Sequence, residues 1–326
     1  MDINRTTTLG TSNSLLNYMR SSTSKYNELS LQASSGYKVT TLSDDPSSTR
    51  TLVSISSQLK ELNTYLDNMT SAQTELDTLD STLSSVTDLI QKATDLATQA
   101  ANGTYSDEDL ANIKTQVDEI IKSVVDLANT KYDGKYIFSG TATSTQAYEI
   151  TYDTDGNIES ILYNGTLPAS DYERYVTISE GVSVSINANG QSVFGTYTAT
   201  DDNGTPIDPS DDVAATGSGL LYTLGVLSES LASGDQTAVS SCLTGLGTAL
   251  DNVSATRTKF AAVSNKFELT QDVINTTITT LKTYQSDLRD TDLSEVMSDL
   301  AVQQTALQAT YKVFSQVSSL SLLDFM

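Results

Sequence analysis

The two ends of the chain both carry apolar residues at the spacing of a coiled coil. Between residues 293 and 321 the apolar positions recur every three or four residues, which places them on one narrow stripe of a helix. A fainter stripe of the same spacing runs through residues 1 to about 35. A helix with so narrow an apolar face depends on packing against a partner for most of its stability. We therefore expect the two terminal helices to pair with each other, with neighbouring copies of the chain, or with both.

The predicted seam combines apolar side chains from both termini. An intramolecular coiled coil and a contact between subunits remain two open interpretations of this seam, and both can hold together. Its members are Leu15, Met19, Tyr26 and Leu29 near the N-terminus, and Leu293, Leu300, Leu307, Tyr311 and Phe314 near the C-terminus.

Composition limits both the fold class and the partners. Only 7% of the 326 residues are aromatic and Trp is absent, so large single cores are not expected. A net charge of -23 repels phosphate backbones and anionic lipids, which argues against nucleic-acid or membrane-surface binding and is compatible with a basic partner. The sequence contains neither an apolar core typical of a signal peptide nor a stretch of about 18 apolar residues, so we expect no membrane insertion.

The apolar period changes along the chain and divides it into three parts. Helical spacing continues from residue 46 to about 130, interrupted at 102–105, and Ser106 with Asp109 resembles a capping box. Alternating strand-like spacing follows, with a hairpin signal at Asp155-Gly156 and an acidic loop at 201–209. Helix resumes near Leu220 and continues as a return helix to the C-terminal stripe.

The fold predicted from this order is mainly α with an inserted β domain. Residues 1–45 with 285–326 form terminal coiled-coil helices, which we expect to be disordered in the monomer. Residues 46–137 with 218–284 form an elongated antiparallel helical rod, and residues 138–217 form a small β-rich tip domain.

Catalytic and metal-binding patterns are absent from the sequence. Without His, the Ser-His-Asp and Cys-His triads and the His-based zinc motifs are excluded. A carboxylate pair could still serve a glycosidase, but nothing in the spacing of Glu149, Asp153 and Glu159 singles them out. The sequence has one cysteine, Cys242, so no intramolecular disulfide can form. A single cysteine on a helix is typically a small buried apolar residue. We predict no catalytic, cofactor-binding or metal site and no enzyme activity.

Several short blocks occur in one order along nearly the whole chain. They are Ser35-Gly36-Tyr37-Lys38-Val39, Ser43-Asp44-Asp45-Pro46, residues 102–109, residues 134–141, the strand-like residues 176–187 with a Val-Phe-Gly close at 190–195, and residues 306–314. In this order they resemble the flagellin-like axial proteins of the bacterial flagellum, and most closely the FlgL-type proteins of the hook–filament junction. Leu42 departs from the family, in which Pro often precedes this turn. The resemblance identifies Gly36, Ser43, Asp44, Asp45 and Pro46 as the turn that follows the first helix.

The resemblance also implies a function and a set of partners. Proteins of this kind are exported unfolded by the flagellar type III apparatus and assemble outside the cell as a ring at the hook–filament junction. The implied partners are further copies of the chain, hook-associated protein 1 (FlgK-type), flagellin and a cytoplasmic export chaperone (FlgN-type), with a monomer expected before assembly. The alternatives are a flagellin, the bulk filament subunit, and an enzyme displayed on such a scaffold.

Overall fold

The computed structural model describes residues 3–41, 43–102, 105–166, 173–199 and 215–323. The predicted acidic loop at 201–209 and the departure at Leu42 lie outside the described residues. The helices in the described part are α1 (Ile3–Ser35), α2 (Pro46–Ala100), α3 (Asp107–Ala128), α4 (Gly190–Phe194), α5 (Gly219–Ser233), α6 (Gln236–Arg289) and α7 (Leu293–Leu323). The strands are β1 (Lys131–Tyr132), β2 (Lys135–Tyr136), β3 (Tyr148–Tyr152), β4 (Ile158–Tyr163), β5 (Tyr175–Ser179), β6 (Val182–Ser185), β7 (Thr196–Thr198) and β8 (Thr216–Ser218).

The predicted fold class, mainly helical with an inserted antiparallel β region, is confirmed. The strands form a four-stranded sheet in the order β3-β4-β7-β8 and two hairpins, β1-β2 and β5-β6, all antiparallel. The chain forms two compact units, residues 1–62 with 275–326 (the terminal unit) and residues 63–274 (the central unit). The division into three domains stays a prediction.

The terminal unit is built on the packing of α1 against α7. Gly36 closes α1 with a left-handed backbone (φ 76°), and its N–H donates to the carbonyl of Gln32 at 2.8 Å. A short bridge follows, in which the Thr291 N–H donates to the Gly36 carbonyl at 3.0 Å and the Lys38 N–H donates to the Arg289 carbonyl at 2.7 Å. The end of α1 therefore lies beside the start of α7, and the two helices run antiparallel.

The central unit has a helical core with polar links between its helices. Apolar side chains of α2 at helical spacing are fully buried, among them Leu79, Leu83 and Val86. Gln73 of α2 donates to Ser264 of α6 at 2.7 Å. The predicted capping box at the start of α3 is confirmed, because the Ser106 and Asp109 side chains each bond the other residue's backbone N–H.

The β region of the central unit surrounds a cluster of aromatic rings. Strands β3 and β4 form the hairpin predicted at Asp155-Gly156, and the Asp153 carboxylate accepts hydrogen bonds inside that turn, as expected for a turn residue. The phenol of Tyr148 donates to the Gly195 carbonyl at 2.9 Å, and that of Tyr163 donates to the Phe138 carbonyl at 3.0 Å. These bonds satisfy buried hydroxyl groups and anchor the sheet to the neighbouring loops.

Two sequence expectations are wrong in detail. Residues 190–195, predicted to end a strand pair, instead form the short helix α4, which Asn189 caps and Gly195 ends with a positive φ of 74°. The return helix is interrupted, because Gly234 adopts a left-handed backbone after α5 and the Asp235 side chain accepts from the first N–H groups of α6.

Candidate functional site

The contact between α1 and α7 follows one heptad row on each helix. The more buried positions of the two helices recur at alternating intervals of four and three residues, which is the pattern of a coiled-coil seam. We call these positions the α1–α7 seam. It consists of Leu15, Met19, Ser22, Tyr26, Leu29 and Ala33 on α1, and of Val296, Leu300, Gln303, Leu307, Thr310 and Phe314 on α7.

The structure places most of the predicted seam residues in this row. On α1, Leu29 is buried, while the other three predicted residues are half-buried. On α7, Leu300, Leu307 and Phe314 are half-buried, whereas Leu293 and Tyr311 are 50% and 49% exposed. Leu293 is the first residue of its helix and so has no preceding turn to cover it, and Tyr311 lies beside the row.

The predicted seam lacked five members of the α1–α7 seam, the apolar Ala33 and Val296 and the polar Ser22, Gln303 and Thr310. Val296 is 6% exposed, although it was not among the predicted seam residues. Gln303 reaches across to α1, where its Nε2 donates to the carbonyl and to the Oγ of Ser22 at 3.1 and 2.8 Å. Heptad counting from Leu300 would have found Gln303 and Thr310, and heptad counting from Leu15 would have found Ser22.

Apolar side chains also lie outside the seam on both terminal helices. We call them the outer apolar set, and each is about half exposed or more. Single exposed apolar residues are normal, and on α7 these residues flank the seam on both sides. The set consists of Tyr18, Leu31, Leu293, Met297, Val302, Tyr311 and Val313.

The turn after α1 is held by the first carboxylate of the Ser-Asp-Asp-Pro block. The Asp44 carboxylate accepts the backbone N–H groups of Thr40 and Thr41 at 2.9 and 2.7 Å, and both hydroxyl groups at 2.9 and 2.8 Å. Hydrogen bonds to the charged form favour ionisation, so they lower the pKa of Asp44 from 3.8 to about 2. Ser43 is exposed in the same turn.

The second carboxylate of the block starts α2. Asp45 accepts the N–H groups of Ser47 and Ser48 at 2.9 and 3.0 Å, and the Ser48 hydroxyl and N–H lower the pKa of its carboxyl. Pro46 occupies the first helical position, where its fixed φ suits the helix and no donor is lost. In this block Asp44 therefore closes the turn and the adjacent Asp45 and Pro46 start α2.

Side chains reinforce the bridge between the end of α1 and the end of α6. Lys38 Nζ donates to the Asp287 carbonyl at 2.5 Å. The carboxyl of Asp290 accepts from Ser286 at 2.7 Å and from Arg289 at 3.1 Å, and these bonds lower its pKa. These contacts fix the base of the α1–α7 pair.

The described residues offer little that is typical of catalysis. Across residues 3–41, 43–102, 105–166, 173–199 and 215–323 no group of three or more acidic or cysteine side chains is placed to hold a metal ion. No helix in this part is long and apolar enough to cross a membrane. Burial raises the pKa of the Cys242 thiol to about 11, which suppresses its reactive thiolate.

Comparison with known proteins assigns the family. The model of the bacterial flagellin N-terminal helical region matches residues 6–143, and that of the C-terminal helical region matches residues 243–326. Together these two regions include more than half of the chain. The chain belongs to the bacterial flagellin family. This is a family of structural flagellar proteins, and the two matched regions include nearly all of α1 and all of α7.

Relatives from two kinds of flagellar protein match this flagellin-family chain along most of its length. Flagellar hook-associated protein 3 of Escherichia coli is 29% identical over 309 residues, covering 92% of each chain. The flagellar filament 30.7 kDa core protein of Treponema maltophilum is 22% identical over 287 residues, covering 88% of this chain and 86% of the relative. The crystal structure of hook-associated protein 3 from Legionella pneumophila superimposes with a TM-score of 0.58 at 16% identity, covering 72% of this chain and 98% of that one, which supports the shared fold.

Proposed function

We propose that this chain is a structural subunit of the bacterial flagellum that forms the junction between hook and filament. The observation that carries the proposal is the similarity to hook-associated protein 3, which is 29% identical over 92% of both chains, against 22% over 88% of this chain for the filament core protein.

The geometry of the terminal unit suits assembly. Pairing of α1 with α7 covers one face of each helix, and the outer apolar set remains available for neighbouring subunits. Leu293 and Tyr311, which belong both to the predicted seam and to this set, are the residues that we assign to contacts between subunits. In the proposed domain division, residues 1–45 with 285–326 order fully on assembly, which offsets the loss of chain entropy with contacts to neighbours.

The proposal includes a route and a set of partners. The subunit is exported by the flagellar type III apparatus with the help of a FlgN-type chaperone, and it acts outside the cell. There it forms a ring with further copies of itself, between hook-associated protein 1 and flagellin. A structural role requires no catalytic group, and we propose that the chain has no enzyme activity.

A flagellin, the bulk filament subunit, is the second candidate. The similarity to a filament core protein over 88% of this chain favours it, because the terminal helices would serve either role. The two candidates differ in copy number, since a junction protein forms one short ring and a flagellin polymerises with itself into a long filament.

Deletion of the gene in its own organism separates the two candidates. For a junction protein, we expect bare hooks in electron micrographs and abundant unpolymerised flagellin in the culture medium. Bare hooks with no flagellin in the medium would mean that this chain is itself the filament subunit. Normal filaments in the deletion strain would contradict both proposals.

A further inference from the structure

A cleft of about 690 Å³ opens between α2 and the β1–β2 and β5–β6 hairpins. All of its lining residues belong to the central unit, so its walls do not require ordered terminal helices. Ligand sites commonly occupy about 300 to 1,000 Å³ and combine apolar surface with a few polar groups. We propose that this cleft binds a neutral oligosaccharide, an activity that goes beyond the proposed structural role and does not depend on it.

The charges that line the cleft cancel. Glu75 and Asp133 contribute two negative charges, and Lys135 and Arg174 contribute two positive charges. The whole chain carries a net charge of -23 and repels anions, while walls without net charge offer no complementary charge to a cation. The ligand that suits these walls is therefore uncharged, yet able to form hydrogen bonds with polar side chains.

The ion pair inside the cleft leaves hydrogen-bonding groups for such a ligand. Nη2 of Arg174 donates to both carboxylate oxygens of Glu75, and the arginine side chain is 31% exposed. A guanidinium has five N–H donors, so those on its other nitrogens can donate to a sugar hydroxyl group. Hydrogen bonds from a charged donor are stronger than those between neutral groups. Ser71 adds an exposed hydroxyl group from α2.

Tyrosines line the cleft from both hairpins. Tyr132 belongs to β1, and Tyr175, which is 60% exposed, belongs to β5. The phenol of Tyr175 donates to the Glu173 carboxylate, which leaves the face of its ring for packing. An aromatic face accepts the C–H side of a sugar ring, whose hydroxyl groups point to the polar walls. Apolar faces beside paired charges therefore match a carbohydrate better than an entirely polar or an entirely apolar ligand.

The test uses the purified full-length chain and saturation-transfer difference NMR with three trisaccharides. Maltotriose and triacetylchitotriose are neutral, whereas sialyllactose carries a carboxylate. We expect saturation transfer to at least one of the neutral sugars and much weaker transfer to sialyllactose, because the negative chain repels it and the cleft has no net positive charge to compensate.

Two exposed serines of α2 provide a blocking variant and its control. Ser71 lines the cleft and Ser81 does not, so Phe at position 71 fills the space that the sugar needs. Ser71→Phe should weaken binding by at least about tenfold. Ser81→Phe should bind as the wild-type chain does, and both variants should keep their helix content by circular dichroism.

A second pair of variants removes a ring and does not depend on filling the cleft. Tyr132→Ala deletes a ring that lines the cleft and should also weaken binding. Tyr152→Ala is the control, because Tyr152 is a 48% exposed tyrosine of β3 that does not line the cleft. Tyr152→Ala should leave binding unchanged.

Three results would overturn the proposal. Neither neutral trisaccharide could show saturation transfer at millimolar concentration. Sialyllactose could bind as well as the neutral sugars, which would mean that the charges of the cleft do not select the ligand. Binding could survive in both Ser71→Phe and Tyr132→Ala, which would place the sugar elsewhere on the chain.

Discussion

The guanidinium of Arg289 lies over the ring of Tyr37, with its Cζ 4.0 Å from the ring centroid. A cation above an aromatic face is attracted by the ring quadrupole, so this contact adds to the backbone bridge between residues 36–38 and 289–291. Tyr37 can lie under Arg289 because α1 ends at Gly36, whose left-handed backbone turns the chain away from the helix. The base of the α1–α7 pair therefore depends on a backbone conformation as well as on side chains.

Substitution of Gly36 tests this dependence. An Ala at Gly36 has free space for its Cβ but must adopt a φ of 76°, so Gly36→Ala should lower the stability of the terminal unit by about 1 kcal/mol. Gly10→Ala is the control, because Gly10 lies inside α1 with open space around it and the change should stabilise the helix by up to about 1 kcal/mol. Hydrogen exchange of α1 amides measures both effects. Equal protection in the two variants would contradict the assigned role of Gly36.

The turn at Asp44 should be sensitive to acid in a defined pH range. Its carboxyl has a pKa lowered from 3.8 to about 2, so ionisation stabilises the turn above pH 3.8 and that contribution is lost as the pH falls toward 2. A carboxyl-detected NMR titration of the full-length chain should show Asp44 titrating near the lower value. Thr41→Val removes a hydroxyl donor and should raise the pKa. Titration of wild-type Asp44 near 3.8 would contradict the hydrogen-bond pattern.

The sequence predicted the fold where local periodicity decides the structure. Helix periods, the capping box at Ser106 and the hairpin turn at Asp155-Gly156 depend on neighbours within a few residues, and all three are confirmed. The helix α4 was missed because it depends on the cap at Asn189 and on tertiary burial of a five-residue segment. The polar seam residue Gln303 was missed because an apolar stripe cannot show a polar side chain whose partner is distant in sequence.

The close approach of α5 to β7 should make an Ala at Gly225 destabilising, whereas the exposed Gly247 of α6 is a control at which Ala should stabilise. A Cβ on Gly225 would lie 2.3 Å from ring carbons of Tyr197, a side chain that is 1% exposed. Gly225→Ala should therefore destabilise the central unit by about 2 kcal/mol, despite the better helix propensity of Ala. Gly247→Ala has open space in α6 and should stabilise by about 1 kcal/mol. Urea unfolding measures both changes, and stabilisation by Gly225→Ala would refute the packing.

In the central unit, an ion pair between Glu75 and Arg174 connects α2 to the segment before β5. Glu75 is 8% exposed, and Nη2 of Arg174 donates to both of its carboxylate oxygens. Arg174→Met leaves a buried carboxylate without its partner and should lower the free energy of unfolding by about 3 kcal/mol. The double variant Glu75→Gln with Arg174→Met should recover most of this loss, because the buried charge is gone. If the single and double variants were equally unstable in urea, the loss would come from packing of the arginine.

The outer apolar set can be tested with two leucines of matched exposure. Leu293 in α7 is 50% exposed and Leu162 in β4 is 47% exposed. An Asp at position 293 is favourable for the helix itself, because it stands at the positive end of α7 beside the capping residue Asp292. Leu293→Asp should therefore fold and be secreted normally.

Incorporation into the flagellum should separate the two variants. A contact between subunits that buries a carboxylate among apolar side chains costs several kcal/mol, so incorporation of Leu293→Asp in a complemented deletion strain should fall by more than about tenfold. Leu162→Asp, outside the terminal helices, should restore filaments. Leu307→Asp should also stop incorporation while the soluble rod stays folded, because a carboxylate in the α1–α7 seam opposes pairing of the terminal helices. Filaments of normal number with Leu293→Asp would exclude this residue from the contacts between subunits.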